Sequence, residues 1–416
     1  MPSSTPTPPI SIAIIGAGIA GITLAIALSK HNPSLKLTIY ESRSEFSEIG
    51  AGVGFGPNAV QAMTLIDAGI AEAYDEVKTA NLWPEKDHVW YDFHYGTGPK
   101  AGQSFGQISS SSHFTHSGGS RAAFLDRLVN LIPSTVQVFF NKKLTSISNA
   151  LPHPLQITFS DNSSAHVDAV IACDGIRPVC RQILLGEDNE AAKAVYSGKY
   201  AYRKVVSMAA AVAVAGREVE NRVVYSGHGG HILLFPISNG ALLNIVVRSS
   251  KEAMLEDFEG WGEKCVGLLE LINEPEKWAL FDHPPASTYA RGNLCLVGDA
   301  AHATTPHSGA GAGFAIEDVH LLSGLLTSEF VKEKGDLEGV FRAYDEVRRP
   351  RSQELVVRSR RNGMRLDFQN PDGEGELSVE QYMRGVEENM KWVWEIDLNA
   401  MLEEARALVV GYKEGK

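Results

Sequence analysis

The chain has 416 residues, 44% hydrophobic and 21% charged, a balance that lets it bury one large core or two fused ones. Fifty acidic against 38 basic side chains give a net charge of -12, which excludes a general attraction to nucleic acid or to an anionic membrane and favours small-molecule chemistry. Four cysteines without a CxxC pair or zinc-type spacing point to a reducing compartment and no structural metal, and no apolar run approaches the roughly 20 residues needed to cross a bilayer.

Residues 1–9 are a Ser/Thr/Pro tail without the charged and apolar segments of a secretory signal, so a disordered tail and a cytoplasmic location are expected. SIAIIGAGIAGITLAIALSK then reads as strand, tight turn and helix, and LKLTIYE as a second strand of one parallel, right-handed unit. In the turn, Gly16, Gly18 and Gly21 have the dinucleotide spacing: room to turn, close approach to a pyrophosphate, and close packing of helix on strand. Glu41 lies 20 residues beyond Gly21 (41 − 21), at the end of the second strand, where a carboxylate accepts hydrogen bonds from ribose hydroxyls.

From Glu72 to Ser120 the chain reads as irregular, after which Ser120 caps a helix over SRAAFLDRLVNLI. VQVFF, LQITF and HVDAVIACDG read as strands, the last running into Asp174-Gly175. Between Tyr200 and Val247 the pattern becomes β-rich, with LLFPISNGALLNIVV as a hairpin turning in two residues at Asn239-Gly240. NLCLVGDAAH is another buried strand, ending in a glycine-rich loop with Gly298-Asp299. GFAIEDVHLLSGLL and most of the remainder to Lys416 read as helical. Arg348, Arg349, Arg351, Arg358, Arg360 and Arg361 are expected on a solvated helix face, paired with Glu346 and Glu354, and WVWEID (Trp392 to Asp397) is expected to pack in the core.

GAGIAG with Glu41, the Asp174-Gly175 pair and GDAAHATTPHSGAGAG together resemble the three cofactor motifs of the group A flavoprotein aromatic hydroxylases. The resemblance runs from about Ile12 to Leu398 and is nearest to fungal salicylate-hydroxylase-like enzymes and polyketide-phenol hydroxylases. It implies an α/β fold: a Rossmann-type, glutathione-reductase-like FAD-binding domain drawn from 10–75, 105–185 and 280–365. A β-rich substrate region would occupy 76–104 and 186–279, with C-terminal helices over 366–416.

By the same resemblance Asp299 holds a ribityl hydroxyl of FAD, and the backbone at Gly311 and Ala312 approaches the isoalloxazine. Gly54 of EIGAGVGFGPNA and Arg121 also lie against FAD, and Asp174 serves both FAD and NAD(P)H. An arginine in a helix's first turn opposes the macrodipole, so a phosphate partner would account for Arg121. Pro178 departs from the family, which often has a small residue there. Gly309, Gly311 and Gly313 follow a Pro-His-Ser loop and not a strand, so only one dinucleotide fold is read, and NADH or NADPH is expected to visit transiently.

Arg203 resembles an active-site arginine that pairs with a substrate phenolate or carboxylate, and Phe235 stands where the dearomatising relatives carry tyrosine. His228, His231 and His307 are candidate proton relays, with His231 grouped with Arg203 and Phe235 as catalytic. The implied activity is FAD-dependent monooxygenation of a small phenolic or aromatic-acid substrate with NAD(P)H and O2, through reaction of oxygen at the flavin 4a carbon; salicylate-type decarboxylation is one form. A hydroxylative dearomatase of a polyketide phenol and a non-enzymatic FAD-binding or sensor protein are the alternative readings. A monomer or homodimer is expected.

Overall fold

The computed structural model describes residues 8–46, 52–110, 114–148, 154–249, 258–272 and 276–415. The tail through residue 7 and the Glu48–Ala51 part of EIGAGVGFGPNA lie outside the described residues.

Ile12, Ala13, Ile14 and Ile15 are all buried, so the Ser11–Ile15 strand is covered on both faces, as its unbroken apolar run requires of a central parallel strand. It pairs in parallel with Lys36–Tyr40 on one side and Ala169–Ala172 on the other. The six-stranded sheet runs Ala290–Arg291, Leu294–Leu296, Ala169–Ala172, Ser11–Ile15, Lys36–Tyr40, Gln137–Phe139, and only its first pair is antiparallel. The helices Ile19–His31, Gly311–Leu325 and Leu398–Lys413 supply side chains to the same core.

A seven-stranded sheet runs Glu276–Asp282, Val195–Ser207, Leu242–Ser249, Gly230–Ile237, Val223–Gly227, Val89–Tyr95, Ser104–Ser109. Two of its strands correct the reading of 72–120 as irregular. Val89–Tyr95 and Ser104–Ser109 are an antiparallel pair, and Ser104–Ser109 belongs to this sheet and not to the parallel one. Their signal was weak because Trp90, Tyr91 and Phe93 are buried on both faces, against the Val379–Trp394 helix on one of them, which erases the two-residue alternation of a half-exposed strand.

The predicted hairpin is present, but its turn is longer. Ile237 pairs with Leu242, leaving the four residues Ser238–Ala241 in the loop. Ser238, Asn239 and Gly240 all have positive φ, and tertiary contacts hold them there: Asn239 N donates to Thr79 Oγ1 (3.0 Å), and Gly240 lies against Leu82.

The arginine cluster is also corrected. Arg348 is 0% exposed and paired with Glu317 and Asp318, Arg351 pairs with Glu317, and Arg360 with Asp282. Only Arg358–Glu354 follows the expected pairing, since Glu346 pairs with Arg342. The helix Asp336–Leu366 packs between other elements, so Arg348 and Arg351 are used in internal ion pairs, while Arg358, Arg360 and Arg361 stay partly exposed. No helix among the described residues is long and apolar enough to cross a membrane.

Candidate active site

A single cleft of about 950 Å³ joins the loop edge of the parallel sheet to one face of the seven-stranded sheet. Its first wall is the glycine turn. Gly16 has φ +104°, and a Cβ there would overlap the Cys173 carbonyl; one on Gly21 would overlap the Gly16 carbonyl. These glycines are required by backbone packed against backbone. Gly16 and Gly18 line the cleft, whereas Gly21 lies behind it as the packing contact of helix on turn.

Glu41 stands at the rim of this turn. Its Oε2 accepts from Ala17 N (2.7 Å) and its Oε1 from Arg43 N (2.8 Å) and Ser42 Oγ (3.0 Å), so the carboxylate is fixed with one accepting position left on Oε2. Asp174 Oδ2 accepts from Cys180 N (3.1 Å), while its Oδ1 is buried without a partner. Burial holds the Asp174 carboxyl above the usual carboxylate range, against the backbone N–H groups that stabilise its anion. Pro178, the departure noted above, is the N-cap residue of the Val179–Leu185 helix.

The second wall is the Gly298-Asp299 turn and the helix Gly311–Leu325. Gly298 has φ +64°, and its N–H donates to Asp318 Oδ2 (2.7 Å), which also takes His302 Nε2 (2.7 Å). From behind, the buried Arg181 grips the carbonyls of Ala300, Ala301 and Pro284; burial lowers its guanidinium to about 10. Asp299 is thereby held exposed toward the cleft. Gly311 and Ala312 open their helix into it with no side-chain cap, leaving first-turn N–H groups and the positive helix end for a ligand. Gly54 lines the cleft too, as does Arg121, at the first position of the helix that Ser120 caps.

The third wall is the sheet. Alternation puts Arg203, Leu233, Phe235, Asn244 and Val246 on one face, and all five line the cleft. The Arg203 guanidinium lies 5.7 Å from the Trp278 ring centre. His231 shares that face but does not line the cleft. It is fully buried, with Nδ1 2.6 Å from Asp367 Oδ1, and Lys199 binds the same carboxylate. His231 thus does not touch the cleft itself: Asp367, just beyond the long helix, holds it beneath the site. His307 does line the cleft, edge-on to His231 at 5.5 Å, and His228 is exposed beside Glu376.

Of the residues singled out in the sequence, Gly16, Gly18, Glu41, Gly54, Arg121, Asp174, Arg203, Phe235, Asp299, Gly311 and Ala312 come together here, and Gly21 and His231 do not. Sequence reading missed Trp90, Tyr91, His116, Arg222 and Trp394, which close the sheet end of the cleft. WVWEID packs against the core as expected, with Val393 inside it, Trp392 on Phe314 and Trp394 edge-on to Trp90 (5.7 Å), and Trp394 also reaches the cleft wall near His116 (5.1 Å).

The glycine cradle, the fixed carboxylate of Glu41, the orphaned Asp174 oxygen and the uncapped helix end fit a flavin dinucleotide. A model of the "FAD binding domain" family matches residues 133–359, and one of the "NAD(P)-binding Rossmann-like domain" matches 14–48. The chain belongs to the FAD-dependent aromatic hydroxylases. It is 37% identical to 6-methylsalicylate 1-monooxygenase of Aspergillus terreus over 95% of this chain and 91% of that one, and 33% identical to a salicylate hydroxylase of Pseudomonas putida over 96% and 94%. Among solved structures, a salicylate hydroxylase substrate complex superposes with a TM-score of 0.84 at 30% identity, covering 96% of this chain and 98% of that one. The protein is thus a flavoprotein monooxygenase of salicylate hydroxylase type, with FAD as cofactor and NAD(P)H as reductant.

Proposed function

We propose that this monooxygenase hydroxylates a small phenol or aromatic acid that lies at the sheet end of the cleft, beside the ring of FAD. The observation that carries this reading is the continuity of the cleft: glycine turn, uncapped helix end and aromatic-lined sheet face bound one space. Glu41 would hold ribose hydroxyls, Arg121 a phosphate, Asp299 a ribityl hydroxyl, and the Gly311–Ala312 backbone the flavin ring, with Gly54 and Asp174 alongside. Bound there, FAD supplies the electron acceptance and oxygen activation that no side chain can.

The remaining work falls to the chain. Trp90, Phe235 and Trp394 give the ring an apolar wall and exclude water. Arg203 would orient a substrate anion and favour phenolate, which raises electron density at the ortho and para carbons. Phe235 lacks the hydroxyl carried by the dearomatising relatives, so ordinary or decarboxylative hydroxylation is favoured. When the attacked carbon bears a carboxylate, restoring the aromatic ring expels CO2.

Replacing Arg203 with Met keeps much of the stem and removes the donors. FAD content should persist while turnover falls. The Michaelis constant should rise if the contact exists in ground and transition states, and uncoupled peroxide should increase if it acts mainly on phenolate. Wild-type turnover, Michaelis constant and coupling would assign Arg203 to the sheet alone. Glu41→Ala should weaken FAD binding by about 1.5–3 kcal/mol, the worth of a charge-assisted hydrogen bond. Equilibrium titration of apoprotein with FAD checks this, and unchanged affinity would leave Glu41 as a brace for the glycine turn only.

A further inference from the structure

We infer that Arg222 and His116 form a second polar anchor at the sheet end of the cleft, which selects substrates carrying a carboxylate on the ring with a hydroxyl beside it. This rests on the hydroxylase reading above and adds two specificity-determining residues to it.

Arg222 is 6% exposed and lines the cleft. Its Nε donates to Trp90 O (2.8 Å), one terminal nitrogen to Ser117 O (2.9 Å) and the other to Tyr91 Oη (3.0 Å), and the guanidinium lies 4.5 Å from the Tyr91 ring centre. Every one of these partners is neutral. Among the described residues no carboxylate pairs with Arg222, so it is a buried cation without a counter-charge, whereas the equally buried Arg348 has two. Three of its five N–H groups are used, and two remain. Glycines border its rim: a Cβ on Gly54 would lie 3.5 Å from one terminal nitrogen and 3.6 Å from the other, and one on Gly118 would lie 3.4 Å from the first. An anion entering from the cleft would supply the missing charge.

His116 is 1% exposed, lines the same cleft, and has Nε2 buried with no partner. Its ring is wedged between Phe114 (5.0 Å) and Trp394 (5.1 Å). Burial first, then the Arg222 charge and His88, push its pKa down to about 3. At neutral pH it is therefore an uncharged imidazole with one unfilled hydrogen-bonding position, suited to a hydroxyl next to the carboxylate and not to a second anion.

Arg203 cannot serve the same carboxylate from the same side. The Leu242–Ser249 and Gly230–Ile237 strands lie between its strand and the one Arg222 precedes, which places the two backbones about 15 Å apart. Both arginines line the cleft, from strands three places apart in the same sheet.

The test is titration of the FAD-loaded protein with 2-hydroxybenzoate, 2-hydroxybenzamide and benzoate, read by perturbation of the flavin absorption spectrum. The wild type should bind 2-hydroxybenzoate roughly 10- to 100-fold more tightly than the isosteric amide, the span of one charge-assisted hydrogen bond. Arg222→Gln should erase that preference, while Arg203→Met keeps it. Because Arg222 also braces Trp90, Ser117 and Tyr91, a second variant guards against loss of folding: His116→Phe preserves shape and should remove the advantage of 2-hydroxybenzoate over benzoate. Equal binding of acid and amide by the wild type, or loss of the preference in Arg203→Met alone, overturns the inference and leaves the hydroxylase reading standing. No perturbation by any of the three ligands, with no phenol stimulating NAD(P)H oxidation, overturns both.

Discussion

Gly16→Ala should abolish stable retention of FAD. At φ +104° an alanine carries backbone strain of roughly 1–3 kcal/mol. Its Cβ would also collide with the Cys173 carbonyl, a backbone atom at the end of the adjacent strand that cannot rotate away, adding an overpacking cost of about 1–3 kcal/mol. The collision is relieved only by separating the glycine turn from the Cys173–Asp174 loop, and both line the cofactor cleft. Gly186→Ala is the control, because Gly186 has φ +95°, open space around its Cβ position and no place in the cleft, so it carries the strain without the collision. FAD-to-protein absorbance ratios after gel filtration distinguish them: Gly16→Ala should emerge colourless and Gly186→Ala yellow. Equal FAD content would show that the close approach at Gly16 is not what shapes the cradle.

Arg348→Met should be the most destabilising of the substitutions considered, by roughly 3–5 kcal/mol, because it removes the cation shared by two buried carboxylates and leaves Glu317 to Arg351 and Asp318 to His302. Arg348 is in ion-pair contact with Glu317 (2.7 Å) and Asp318 (2.6 Å), and it also donates to Phe314 O (2.9 Å). Burial pushes both carboxyls up. The cations around them more than reverse this, Arg348 then Arg351 at Glu317 and His302 then Arg348 at Asp318, so both end below the usual range. Carboxyls that bind protons less readily folded than unfolded stabilise the protein above the ordinary carboxylate pKa of about 4, and that stabilisation is lost as pH falls through their folded values. Denaturant unfolding should therefore show wild-type stability falling on acidification below about pH 4–5. In the variant, protonation relieves the under-compensated carboxylates, and the gap to wild type should narrow in acid. Since Asp318 holds the Gly298 N–H, FAD affinity should fall as well. A variant as stable as wild type at neutral pH would mean the network is not a structural lock.

The parallel half of the fold was legible because its signals are local. A buried strand, a glycine turn and a helix lie within Ser11–His31, and GDAAH with its glycine loop precedes a helix in the same way. Glu41, Asp174 and Asp299 could be named because each ends a strand of that sheet or lies just beyond one. The other end of the cleft was not legible. Trp90, Tyr91 and Arg222 come from neighbouring strands joined in parallel across more than a hundred residues of chain, His116 from a segment read as irregular, and Trp394 from the end of a C-terminal helix. No spacing in the sequence unites them; only the order of strands does. His231 shows the converse, a residue with suitable chemistry on the correct face that Asp367 withdraws from the cleft.

The central claim is that the cleft brings FAD, NAD(P)H-derived electrons and an aromatic ring together for oxygen insertion. It is tested most directly by turning over phenols and hydroxybenzoates with the FAD-loaded protein and NAD(P)H under isotopically labelled O2, followed by mass analysis of the products. The account predicts that a substrate stimulates NAD(P)H oxidation and that its hydroxylated product carries one labelled oxygen atom, with loss of CO2 where the attacked carbon bore a carboxylate. It is contradicted if no aromatic ligand raises NAD(P)H oxidation, or if the oxygen in the product comes from water.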